Sequence, residues 1–110
     1  MTNFIPDEEA ERALHWLRDN APKLGEAKKR LVLAGRMVDR VKALEMQRHN
    51  DLPVSAQERE AKASIPLSNA YAEEAEAAGA YETLRAYQDA AMAKLDAWRT
   101  LCASARASQR

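Results

Sequence analysis

The chain is poor in the residues that usually carry chemistry or lock a small fold. Cys102 is its only cysteine, so no disulfide can form within it and no oxidising compartment is implied. His15 and His49 are its only histidines, and neither has a second His or Cys at a metal-ligand spacing. The three glycines, Gly25, Gly35 and Gly79, are scattered, which excludes a glycine-rich phosphate loop. No apolar run is long enough to cross a bilayer, and the opening residues lack the basic-then-apolar pattern of a secretion signal. These absences predict a soluble cytoplasmic chain with no membrane partner. They also predict no metal, no cofactor and no catalytic acid, base or nucleophile.

Large apolar side chains are scarce as well. Leu, Ile, Val and Phe make up 18 of 110 residues, below the usual level for a globular core, while 23 of the residues are Ala. High net charge, the other mark of disorder, is missing, because 17 basic residues balance 17 acidic ones. Alanine is the strongest helix former. A single all-α domain with a thin core is expected, completed by oligomerisation.

What the chain does have is period. Ala77, Tyr81, Leu84, Ala91, Leu95, Trp98, Cys102 and Ala105 recur on an alternating four-three rhythm that only Gln88 interrupts. Leu24, Ala27, Leu31, Ala34, Val38 and Val41 keep the same rhythm. Such spacing draws one narrow stripe down a helix, as in a coiled-coil seam. Four helices are predicted: a short one over 6–20, a basic one over 23–48, a short one over 55–64 and a long one over 68–105. The first carries Ala10, Ala13, Leu14 and Leu17 as its buried stripe. Kinks or breaks are expected near Pro22 and Pro66, with Ser55 and Glu58 as a capping box and Ser68 as the cap of the last helix. That last helix would be about 55 Å long, fraying over its last few residues and folding back on the basic helix as an antiparallel hairpin. Leu31, Val38, Leu84, Leu95 and Trp98 are expected at the seam between subunits, because alanine-rich stripes bury little within one.

Charge is segregated along the chain. Residues 21–49 hold eight bases against three acids, and residues 50–82 seven acids against two bases. Lys29, Arg36 and Arg40 are spaced by seven and four, so they share a stripe roughly opposite the seam. Leu33, Met37 and Leu44 form a weaker apolar strip beside them, and Arg48 lies near the helix end. On the last helix Arg85, Arg99, Arg106 and Arg110 share a flank, with Met92 in the gap. These residues are a candidate track for a phosphate backbone, and equally the pattern of a solvated helix face. Trp98 and Tyr81 belong to the seam. Trp16, Tyr71 and Tyr87 are candidates for core packing, base stacking or partner contact. Cys102 occupies a seam position and is expected to be a small buried apolar residue.

Three local patterns together carry a resemblance. Trp16-Leu17 is followed by a break and a basic helix ending in Arg40-Val41-Lys42. Leu67-Ser68 opens the long final helix after the central break, and Leu95-Asp96-Ala97-Trp98-Arg99 lies near its end. Over roughly Leu14 to Arg99 their order and spacing resemble the UvsY-type phage recombination mediators. The resemblance implies a non-enzymatic homo-oligomer in the host cytoplasm that binds single-stranded DNA. It implies as partners a RecA-like recombinase and the single-strand-binding protein that the recombinase replaces. Family DNA contacts on the basic helix map onto Arg40 and Lys42. Lys29, Arg36, Arg48 and Arg99 extend that set by their placement on the helix wheels. Two alternatives stand beside this reading. One is a phage structural or assembly protein, a helical hairpin that binds only proteins. The other is a secreted helical-hairpin effector, a class that usually has a Trp-x-Gly turn where this chain has Asn50-Asp51-Leu52-Pro53.

Overall fold

A computed structural model describes residues 5–109 of the chain. They form three helices, α1 (Asp7–Gln47), α2 (Val54–Lys62) and α3 (Ile65–Ser108), and no strand occurs among the described residues. The class is all-α, as the composition predicts.

The helix boundaries differ from the sequence expectation in ways with local causes. The short and basic helices expected over 6–20 and 23–48 are one continuous helix, with Pro22 inside α1. An interior proline costs about 3 kcal/mol and removes the N–H that would bond the carbonyl of Arg18. Both Arg18 and Pro22 are exposed, so water can serve that carbonyl. Helix α3 starts three residues earlier than expected and runs to Ser108 instead of ending near Ala105. Pro66 marks no kink: it is the second residue of α3, where a missing N–H leaves no bond unmade. The cap is Ser64, not Ser68. Its hydroxyl donates to the Ala61 carbonyl at 2.6 Å and accepts from the Leu67 amide at 3.3 Å. One side chain thus closes α2 and opens α3. The Ser55–Glu58 box is absent: α2 begins at Val54 behind Pro53, with no side-chain cap. Gln57 instead donates from Nε2 to the Leu52 carbonyl at 2.8 Å.

The chain packs as two compact units. The first unites the stretch up to Leu24 with the stretch from Thr83 onward. Here α1 and α3 run antiparallel: Trp98 Nε1 donates to Asp7 Oδ1 at 2.8 Å, and Trp16 meets Tyr87 further along. Its core is Ala10, Ala13 and Leu95, with Leu17, Ala91 and Trp98 packed against them. Leu14, expected in the buried stripe, is 54% exposed. Two alanines three apart make so narrow a contact that the residue after Ala13, about 100° around the helix, falls outside it.

The second unit spans residues 25–82. Here too α1 and α3 are antiparallel, with Arg30 bonded to Glu73 and Lys28 lying over the Tyr81 ring. Val38, Ala61, Leu67 and Ala70 form the core, from all three helices, and Val41 and Met46 pack on it. Leu67 is wholly buried. A Cβ on Gly35 would lie 3.1 Å from the Glu74 carboxylate, a contact that a small shift of this flexible side chain relieves. Glu45, buried at the end of α1, is held by Arg48 Nη1 at 3.4 Å.

The four-three rhythm matches burial residue by residue. From Ala77 to Cys102 every position of the stripe in α3 is buried or half-buried, Gln88 included, and Ala105 alone is exposed. Leu24, Ala27, Leu31, Ala34, Val38 and Val41 of α1 are likewise covered. The expected use of this seam changes, however. Val38 and Leu95 are core residues within one chain, and Trp98 packs on the same core as Leu95. Leu31 and Leu84 are half-buried in the single chain as well. The antiparallel pairing of α1 with α3 that the sequence predicts covers these stripes within one chain, Leu31, Leu84 and Trp98 only in part.

Candidate nucleic-acid interface

In the second unit, Lys29, Arg36 and Arg40 stand on the exposed side of α1, opposite Val38 and Ala34. The steps of seven and four keep all three within one narrow sector of the helix. No ion pair within 4 Å engages any of them among the described residues. Beside them Leu33, Met37 and Leu44 are each about half exposed, at 52%, 52% and 49%. Lys29, Leu33 and Met37 also line a groove of about 360 Å³ that reaches Glu73 of α3. The sector therefore combines unneutralised cations with apolar side chains that the chain itself leaves uncovered.

The other expected binding residues are placed differently. Lys42 is half-buried and lies about 200° around α1 from Arg40, on the packed side of the helix. It does not share the Arg40 sector. Arg48 follows the last residue of α1 and is engaged with Glu45. Arg99 belongs to the first unit, where it pairs with Asp96 one turn back at 3.5 Å. Arg85 and Arg106 are exposed on α3, with Met92 49% exposed on the same helix; Arg110 lies outside the described residues.

The acidic stretch 73–76 turns out to answer the basic helix. Glu73 accepts from Arg30 Nη2 at 2.7 Å, Glu76 stands 4.0 Å from the same nitrogen, and Glu74 faces Gly35. The bond from Glu73, then its charge, raise the Arg30 pKa further above its ordinary value. Arg30 is thereby occupied, and the acids of α3 are drawn toward it. Sequence reasoning missed this pairing, whose only signal was the neighbouring segments of opposite charge.

Of the aromatic residues, Tyr81 and Trp98 are half-buried in the stripe, as expected. Tyr71 and Tyr87 are 48% and 60% exposed. Trp16 is half-buried and meets Tyr87 with ring centroids 6.1 Å apart at a tilt of 50°. Cys102 is half-buried rather than fully enclosed. His15 lies 3.8 Å from Glu11, and no three His, Cys, Asp or Glu side chains among the described residues come together to hold a metal ion. No described helix is long and apolar enough to cross a membrane. Compared with known protein families, with curated proteins and with solved structures, the chain matches none.

Proposed function

We propose that this protein is a non-enzymatic recombination mediator that binds single-stranded DNA and assists a RecA-like recombinase in replacing single-strand-binding protein. The observation that carries the reading is the Lys29–Arg36–Arg40 sector, three exposed cations on one helix face with no ion pair within 4 Å among the described residues. A strand lying along that sector would exchange its condensed counterions for three fixed charges, which favours binding without reading sequence. The resemblance to the UvsY-type mediators gives the same sector its biological setting, in the cytoplasm of a phage-infected cell. Arg40 is the one family-matched contact that stays on it.

Self-association belongs to this reading, through a surface other than the one the sequence expects. Val38 and Leu95 are used inside the chain, whereas Leu33, Met37 and Leu44 are open. Light scattering at micromolar concentration tests it, with a homo-oligomer expected and a 12.3 kDa monomer contradicting it. The DNA reading is tested by fluorescence anisotropy of a labelled oligonucleotide at low salt. Saturable binding is expected, and undetectable binding refutes the mediator role.

The same open strip favours a second reading, a phage assembly protein that binds only proteins. It needs Leu33, Met37 and Leu44 but not the cations. Under it Met37→Asp abolishes association, while Arg36→Ala with Arg40→Ala changes nothing.

A further inference from the structure

The first unit carries a surface of its own with a different chemistry. Between α1 and α3 lies an open groove of about 240 Å³. Ala13, Ala90 and Ala91 line it with small side chains, which leave room beside the rings. Trp16 and Tyr87 line it together, tilted against each other at 50°, so neither ring covers the other's face completely. Arg12 of α1 and Lys94 of α3 stand at its edges, both exposed and neither in an ion pair among the described residues; Glu9 is the one acid there.

We propose that this groove takes an unpaired base of a single-stranded nucleic acid, stacked on the more exposed ring, Tyr87, with Trp16 against its edge and with Arg12 and Lys94 meeting the phosphates on either side. The inference rests on the single-strand reading above and deepens it by adding a base-binding site to the phosphate-binding one. Aromatic rings in an open groove with a cation on each helix suit a planar aromatic ligand joined to negative charge. A purely apolar side chain from a protein partner would leave Arg12 and Lys94 without a role. Stacking on aromatic rings tolerates any base, which agrees with binding that reads no sequence. Tyr87 is 60% exposed, and circular dichroism of its variants checks that the helices stay intact.

Trp16 and Trp98 are the only tryptophans, so Trp98→Phe leaves Trp16 as the sole indole reporter. The experiment titrates that variant with oligo(dT) and with an abasic oligonucleotide of equal length, following Trp16 emission and the anisotropy of a label on the DNA. Circular dichroism confirms the fold. Quenching of Trp16 by oligo(dT) at the concentrations that saturate anisotropy, and not by the abasic strand, is expected. In the otherwise unaltered chain Tyr87→Ala should weaken binding about tenfold without altering its salt dependence, and Tyr87→Phe should restore it. Binding by anisotropy with no quenching, and with Tyr87→Ala at full affinity, overturns the base site and leaves the phosphate site standing. Absence of any anisotropy change in the unaltered chain overturns both.

Discussion

The two units solve the same problem, a shortage of large apolar residues, in different ways. Residues 25–82 bring three helices together, so Leu67 has neighbours on every side and is wholly buried. The unit formed by the two ends has only α1 and α3, and its core is two alanines and Leu95. A pair of helices covers one stripe on each, and a third closes the gap between them. The three-helix unit therefore keeps its cations and its apolar strip on one outward face of α1. The two-helix unit leaves aromatic rings, Trp16 and Tyr87, at its edge. In this alanine-rich chain, cations and rings without a packing role remain on the side that packing does not use.

The comparison can be broken by mutation. Leu67→Ala should cost about 4 kcal/mol, towards the upper end for a buried leucine, because α2 blocks collapse of the cavity. Leu95→Ala should cost about 2 kcal/mol, because the smaller two-helix contact can close over the space. Urea unfolding followed by circular dichroism measures both, and equal losses would erase the distinction between the units. Ser64→Ala should cost about 1 kcal/mol, the worth of an N-cap. Its effect should be confined to residues 25–82, read as faster amide exchange at Leu67 and Ser68 with little change near Leu95.

How far the sequence reaches can be judged from the same elements. The stripe from Ala77 to Cys102 was legible because helix period translates directly into a buried face. The half-burial of Gln88 follows from its place in that stripe. Pro22 misled because its local preference for a break is overridden by packing on both sides, with Leu17 and Leu24 both covered. Ser64-Ile65-Pro66-Leu67-Ser68 offers two serines as caps, and only the position of Pro66 in the first turn selects Ser64. For the site, exposure of Lys29, Arg36 and Arg40 was legible from their spacing. Occupation of Arg30 was not, since Glu73 lies 43 residues away in sequence. Lys42 was separated from Arg40 only by applying the helix angle strictly. The hairpin partner was legible from the short connection between the long helices, whereas period alone does not say whether a second chain completes the cover.

The central claim is that Lys29, Arg36 and Arg40 bind a phosphate backbone. The most direct test compares the unaltered chain with an Arg36→Ala, Arg40→Ala variant, measuring oligonucleotide anisotropy over a range of salt concentrations. Arg36 and Arg40 together should account for about 1.4 of the log–log slope, taking about −0.7 for each neutralised phosphate on a single strand. The variant should bind more weakly with a slope shallower by about 1.4, and its helices should be intact by circular dichroism. The same affinity and slope in both proteins would contradict the account.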